Sequence, residues 1–357
     1  MKLSIVVNMY NTAKYMPKCI DSLLKQDIPA SDYEIILVDD CSPDESLAMA
    51  NECLAWSLGK QPSIFNLQSS MTSSRPTIKV CHHEVNKGLA GGRNTGIDAA
   101  EGEYLSFVDP DDYVAPNSYK ALLEQMDQEQ LDMLRFRYQN VDEQYQPMPD
   151  YEMESKFDYS SQIMSGRDFL VHRMGIQCYV WPYIYRLQFL RESGIRFIEG
   201  CYLDDTPFLP RVLQAAKRIN CVDVRRHYYL QRATSMVRIS SSEGIKRKMD
   251  GQWILRKIML EQYQQLTDEG VKHWYDAMMS HSVFGLLQMN AIYNYSQCAE
   301  IIAQLRHEGA FPLSTYMASA KEERKMKLVN FSPMLYCMLM HYKTLFNHYC
   351  KDRKSRD

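Results

Sequence analysis

Three carboxylates, Asp109, Asp111 and Asp112, stand within four positions around Pro110 and close an apolar run, Tyr104 to Val108. Pro110 cannot donate to a ladder and fixes its own φ, so a strand must end there. Acids crowded at a strand end repel one another unless a cation sits among them. Hard divalent ions such as Mg²⁺ or Mn²⁺ suit such a place, since they take oxygen ligands, commonly one or two carboxylates completed by substrate phosphates. An acidic surface turn is the plainer alternative, because Asp and Pro are ordinary turn residues. Two other polar clusters have the same setting. Asn8, Tyr10 and Asn11 end the run that begins at Leu3, and Asp39-Asp40 follow Glu34 to Val38.

The elements that must position these clusters alternate. Leu3 to Asn8, Glu34 to Val38, Lys79 to His82 and Tyr104 to Val108 are predicted strands, the near-continuous apolar ones buried on both faces. Ala13 to Gln26 carries Tyr15, Cys19, Ile20, Leu23 and Leu24 at helical spacing. Asp44 to Ala55, with Ser42-Pro43 as cap and first turn, and Gly91 to Ala100 are the next helices. Such alternation predicts right-handed crossovers and an α/β fold with a doubly wound, mostly parallel sheet flanked by helices. Ligands of these sheets lie at the C-terminal ends of the strands, where all three clusters fall. Ser57 to Thr77 reads as a surface insertion. Asp142 to Ser160, equally polar, reads as a separator between the sheet domain and the remainder of the chain.

Composition excludes several classes. At 357 residues and 45% hydrophobic, the chain can bury a full core with room for about two domains. A net charge of −3 argues against a nucleic-acid partner bound through bulk positive charge. The ten cysteines form no C-x-x-C pair, and no secretory leader precedes the first strand, so they are expected to be reduced thiols of a cytoplasmic protein. No apolar run reaches the roughly 18 residues of a membrane span.

The residues also carry a family resemblance. Ser4-Ile5-Val6-Val7-Asn8-Met9-Tyr10-Asn11, then Ile36-Leu37-Val38-Asp39-Asp40-Cys41-Ser42-Pro43-Asp44, resemble the nucleotide-binding half of family 2 glycosyltransferases. Asn86-Lys87-Gly88-Leu89-Ala90-Gly91-Gly92-Arg93-Asn94-Thr95-Gly96, running on to the acidic cluster, continues the likeness in the same order and spacing. The resemblance implies a GT-A fold, a nucleotide-activated sugar as donor, commonly a UDP-sugar, and a divalent metal. One departure is Asn8, where the family usually has Pro.

Each block suits its implied role. Asp39 can accept the N3–H of a uracil in a charge-assisted bond. Tyr10 can stack on the base, with Asn11 beside it, and the backbone near Asn8 can reach the base carbonyls. Tyr10 as a half-buried aromatic and Asp39 or Asp40 as a helix cap are the structural alternatives. The glycines allow close backbone approach, and Arg93 offers a guanidinium to phosphate. By resemblance, Asp109 would contact the ribose and Asp111 the metal, with Asp112 as a second ligand. Transfer with inversion needs a base for the acceptor hydroxyl. Asp205, preceded by Asp204 where the family usually has Glu, aligns with that base, behind the aromatic block Trp181-Pro182-Tyr183-Ile184-Tyr185-Arg186. An acidic helix start, favoured by the macrodipole, is the other reading of this pair. Arg232 and Ser235, with Arg238 a weaker choice, resemble the block that closes over the diphosphate. His82 and His83, adjacent on a strand, point to opposite faces and are read as structural.

These expectations define a GT-A domain over residues 1–240, with a nucleotide-binding half, 1–115, and an acceptor half, 116–240. A helical C-terminal region, 241–357, completes the chain. The implied activity moves a sugar from a nucleotide-sugar to a hydroxyl of a glycan or lipid-linked acceptor. The alternatives are a non-catalytic nucleotide-sugar-binding protein and a nucleotidyltransferase, though the first strand lacks a triphosphate loop. Phe331 to Cys350 is rich in Met, Tyr, Leu and Phe and is succeeded by Lys351, Arg353, Lys354 and Arg356. A basic amphipathic end of this kind suits peripheral contact with an anionic membrane, or a docking helix with a solvated tail.

Overall fold

The computed structural model describes residues 1–60, 75–151, 156–232 and 241–354, with backbone only from 348 onward. The greater part of the Ser57 to Thr77 insertion, together with Ser235 and Arg238, therefore lies outside the described residues. Two compact units divide the chain at residues 235 and 236.

The first unit is built on an eight-stranded sheet: β1 (Leu3–Met9), β2 (Tyr33–Asp39), β3 (Thr77–His82), β4 (Tyr104–Val108), β5 (Tyr113–Val114), β6 (Met133–Val141), β7 (Tyr183–Arg186) and β8 (Ile219–Leu230). Their order across the sheet is β3-β2-β1-β4-β7-β6-β8-β5. The pairs β1–β2, β2–β3, β1–β4 and β6–β8 are parallel, whereas β4–β7, β6–β7 and β5–β8 are antiparallel. The sheet is thus mixed, with its parallel block in the first half, where β1 and β2 are buried at every position. An unbroken apolar strand is what coverage on both faces demands.

Helices α1 (Met16–Leu24), α2 (Ser46–Ser57), α3 (Gly88–Ala99) and α4 (Lys120–Gln128) serve the first half. Helices α5 (Gly166–His172), α6 (Leu187–Glu192) and α7 (Asp205–Ala215) serve the second. Helix α1 starts three residues later than its periodicity predicts, after a turn in which the Tyr15 and Met16 amides donate to the Thr12 carbonyl at 2.9 and 3.2 Å. At α2 the bonding residue is Asp44 rather than Ser42: its Oδ1 accepts from the Ser46 amide at 3.1 Å and its Oδ2 from the Ala13 amide at 2.9 Å. Helix α3 lies tightly on β1. A Cβ at Gly96 would stand 2.2 Å from a Val6 methyl, and one at Gly92 would stand 1.9 Å from Asn8 Oδ1. Glycine there lets the start of α3 settle over the strand ends.

The segment Asp142 to Ser160 does not mark the end of the sheet domain. The chain returns through β7 and β8 to the same sheet, and β7 inserts between β4 and β6. The second unit is helical: α8 (Ser242–Gln264), α9 (Glu269–Tyr293), α10 (Cys298–His307), α11 (Ala320–Phe331) and α12 (Pro333–Lys354). Its core gathers Val283, Leu287, Ile302, Leu305, Met326 and Tyr336. No helix among the described residues is long and apolar enough to cross a membrane.

Candidate active site

Because β2, β1 and β4 are neighbours, the turns after them share one edge of the sheet. The three polar clusters meet there. On the outer side, Asp39 is buried at the end of β2 and its Oδ2 accepts from the Ser42 amide at 3.3 Å and pairs with His82 Nδ1 at 2.9 Å. Its Oδ1 is buried and, among the described residues, accepts no hydrogen bond. Tyr10 is 50% exposed beside this end of the sheet, free to receive a planar ligand, and Asn11 is exposed next to it. Asn8 is buried and donates from Nδ2 to the Leu89 carbonyl at 3.4 Å, so its side chain serves the contact between β1 and α3.

Asp40 caps α3. Its Oδ1 and Oδ2 accept from the Lys87 and Gly88 amides, both at 2.8 Å, which places a carboxylate on the positive end of the helix dipole. His83 bridges Asp40 and Thr95 at 2.8 Å on either side. Both histidines therefore hold carboxylates in place.

Arg93 lies one turn into α3 and is only 3% exposed. It does not face solvent as a phosphate-seeking arginine would. Its Nη1 donates to Asp204 Oδ2 at 2.9 Å and to Asp205 Oδ1, and its Nη2 donates to Asp109 Oδ1 at 3.4 Å. One guanidinium thus joins the acid after β4 to the acid pair opening α7, across both halves of the sheet. Burial works against the Arg93 charge, but Asp204, Asp205 and Asp109 outweigh it and hold the guanidinium protonated. The same burial raises all three carboxyls, with Arg93 opposing it in each case. Asp205 is pushed up to about 8 by burial and by Asp204 and Asp109, against Arg93 and a bond from the Val180 amide. A carboxyl poised there can take or release a proton near neutrality. Around it stand aromatic rings: Tyr179 stacks on Trp181 at 4.9 Å and tilts against Tyr229 at 5.8 Å.

Asp112, expected as a second metal ligand, is 2% exposed and both its oxygens are engaged. Oδ2 pairs with His227 Nε2 at 2.7 Å and Oδ1 accepts from the Leu230 amide at 2.8 Å. Burial pushes the Asp112 carboxyl well up and the His227 imidazole well down, and the hydrogen bond between them ties β8 to the acidic turn. Trp181 stacks on that imidazole at 4.3 Å. Asp111 is partly exposed. Its Oδ2 accepts from Arg232 Nε at 2.7 Å, and among the described residues its other oxygen accepts no hydrogen bond. Arg232 lies over the Tyr15 ring at 4.8 Å.

No group of three or more His, Cys, Asp or Glu among the described residues is arranged to hold a metal. With both Asp112 oxygens engaged, Asp109 and Asp111 are the carboxylates of this turn that would be left for a hard cation. That donor set fits Mg²⁺ or Mn²⁺ when nucleotide phosphates complete the shell. The roles of His227, Tyr15 and the Val180 amide were missed in the sequence, which holds no local signal for them.

Comparison with known proteins accords with this architecture. The profile of Glycosyl transferase family 2 matches residues 4–180. The uncharacterized glycosyltransferase EpsJ of Bacillus subtilis is 31% identical over 257 residues, covering 70% of this chain and 67% of that protein. The chain belongs to glycosyltransferase family 2. Glycosyltransferase GlyG of Streptococcus pneumoniae is 28% identical, covering 66% of this chain and 73% of the relative. The crystal structure of TarS 1–349 from Staphylococcus aureus, in complex with UDP-GlcNAc, superposes with a TM-score of 0.62 at 20% identity, covering 97% of this chain and 92% of that one. The fold is therefore GT-A with C-terminal helices, and the protein is a glycosyltransferase.

Proposed function

We propose that the protein transfers a sugar, with inversion, from a UDP-linked donor to a hydroxyl of a glycan or lipid-linked acceptor. The observation that carries this reading is the Arg93 bridge, which joins Asp205 to the acidic turn that would face the donor diphosphate. The unpaired, buried Asp39 Oδ1 below the exposed Tyr10 suits the N3–H of a uracil, with the base stacked on the ring. The complexes of staphylococcal TarS with UDP and with UDP-GlcNAc support a uridine donor.

In this reading Asp109 and Asp111 would hold a divalent cation; Asp109 would also lie nearest the ribose. A mannosyltransferase of the same fold is known with GDP-Man and Mn²⁺. The cation, when bound, neutralises charge on the departing diphosphate. Arg232, on the mouth side, would then turn from Asp111 to a phosphate oxygen, where it could be joined by Ser235. Asp112 positions the turn rather than binding the ion, because both its oxygens are occupied. Asp205 takes the acceptor proton as the new bond forms, and Asp204 shares Arg93 and keeps it in place. The partly exposed Tyr179 and Tyr229, backed by the buried Trp181, suit the face of an acceptor sugar.

Calorimetric titration with UDP tests the donor half. Affinity should be weak in chelator and at least ten-fold higher with Mn²⁺, because two carboxylates repel a diphosphate until a cation intervenes. Equal affinity in both buffers would overturn the metal role, and no affinity for any uridine nucleotide would overturn the donor.

A further inference from the structure

Helix α12 is apolar on both sides. One side packs into the helical unit through Tyr336 and Cys337, against α9, α10 and α11. The other side faces solvent and is just as apolar: Met334 is 38% exposed, Met338 36%, Leu339 49%, Tyr342 62%, Leu345 50% and Phe346 66%. At about 100° per residue these six fall on one arc of roughly 140°, with no charged residue inside it up to Phe346. Phe331, at the end of α11, adds an 82% exposed ring. A helix hydrophobic all round is ordinarily covered all round, and a continuous exposed stripe of this kind marks an interaction face.

The charge distribution identifies the cover. Residues 321–357 carry nine Lys and Arg against four Asp and Glu, a net +5. The 320 residues before them carry 32 against 40, a net −8. The end of an otherwise acidic chain is thus net positive, and all but one of its nine Lys and Arg lie on α11 and α12. Lys321, Arg324, Lys327 and Lys343 are exposed along them, and Lys351, Arg353 and Lys354 continue the last helix. Apolar side chains that insert at an interface, flanked by cations that meet its negative charge, are the two halves of peripheral membrane binding. A second copy of the same cationic surface would be repelled instead.

We propose that the solvent-facing side of α12 is a docking surface for an anionic phospholipid membrane. Helix α12 would lie in the plane of the headgroups, with Tyr342, Leu345 and Phe346 as its deepest anchors. The helix does not span the bilayer, since its opposite side is committed to the protein core.

The test is co-sedimentation of the full chain with phosphatidylcholine vesicles, with or without phosphatidylglycerol, in the absence of any sugar donor. Failure here is thereby separate from failure of the transfer reading. The wild-type protein should bind the anionic vesicles and be released as salt is raised to 0.5 M, a screening length of a few ångströms (roughly 4 Å). The variant Tyr342→Ser/Leu345→Ser/Phe346→Ser should bind at least roughly ten-fold more weakly with an unchanged melting temperature, because its three positions are exposed. The variant Lys351→Gln/Arg353→Gln/Lys354→Gln should lose roughly a hundred-fold. Three results would overturn the proposal: no binding to anionic vesicles, binding that neither variant weakens, or a wild-type dimer in light scattering that the serine variant dissociates.

Discussion

Two arginine–aspartate clusters meet at the acidic turn after β4, and they differ in how firmly they are closed. In one, Arg93 is 4% exposed in its side chain and answers three carboxylates at once. In the other, Arg232 is 19% exposed in its side chain, answers the single carboxylate of Asp111, and both bonds to Tyr15 and rests on its ring. The same residue types serve opposite ends. A guanidinium buried among acids cannot leave without stranding their charge, so Arg93 fixes geometry and proton affinity. An arginine that meets one carboxylate and is partly exposed exchanges more readily, so on the proposed reading Arg232 would release Asp111 to an incoming cation. The family resemblance treats both as phosphate contacts; burial separates them.

The largest expected effect tests the Arg93 cluster. Asp205→Asn keeps the shape but removes the base, and turnover should fall about a thousand-fold, within the range of general base catalysis. Affinity for the uridine donor, measured separately by calorimetry, should stay within about two-fold. A variant that keeps wild-type turnover would return the base assignment to Asp204. The same variant tests the proton. Because the folded chain holds the Asp205 proton far more tightly than an unfolded one, this group's contribution to stability is complete below the ordinary Asp value of 3.8. It is lost as the pH rises toward about 8. Wild-type melting temperature should therefore decline across that window, and Asp205→Asn should flatten the decline. Transfer by the wild type should rise over the upper part of the same window, as the carboxylate form accumulates.

Next in size is Arg93→Met, which removes the shared counter-charge. Leaving buried carboxylates unpaired costs about 3 kcal/mol or more, read as the loss in chemical denaturation at neutral pH. Adding Asp204→Asn should recover part of it, since one of the stranded acids is then neutral. If the single variant is as stable as the wild type, Arg93 does not lock these acids. A smaller effect is expected at the mouth. Arg232→Gln frees Asp111, so Mn²⁺ binding to nucleotide-free protein, followed by electron paramagnetic resonance, should strengthen by roughly ten-fold at most. Binding of UDP in saturating Mn²⁺ should weaken. Unchanged Mn²⁺ affinity would mean that Arg232 does not compete for Asp111.

Much of the frame was legible because strand ends announce themselves locally. Leu3 to Met9 and Tyr33 to Asp39 are buried throughout, Pro110 stops β4, and the polar residues after each strand share an edge once the strands are neighbours. The closing contacts were not legible, since they join residues far apart in the chain. Arg93 meets Asp205 across 112 positions and Asp112 meets His227 across 115. Composition also misled at Asp142 to Ser160. A polar, irregular segment resembles a linker whether it leads out of a sheet or back into it. Only the antiparallel docking of β7 between β4 and β6 distinguishes the two.

A third arginine sharpens the contrast and carries the smallest prediction. Arg226 is completely buried on β8, yet none of its three guanidinium nitrogens has a hydrogen-bond partner among the described residues. It lies over the Tyr119 ring at 3.7 Å and within 4.6 Å of the Phe136 ring. Burial alone pushes its proton affinity well down, with no carboxylate answering it as three answer Arg93. Cation–π attraction of about 2 kcal/mol in a desolvated setting only partly offsets the lost hydration. Arg226 therefore has the burial of Arg93 without its charge compensation. Arg226→Met keeps a long apolar stem against the two rings while removing the charge. Its stability in chemical denaturation should stay level or rise by about 1 kcal/mol, as when a buried charge gives way to a well-packed apolar side chain. Donor affinity should be unchanged, because Arg226 faces Tyr119 and Phe136 rather than the acidic turn. A loss of several kcal/mol would show that the π-stacked guanidinium is itself a structural tie, and that burial without a carboxylate can also lock an arginine in this fold.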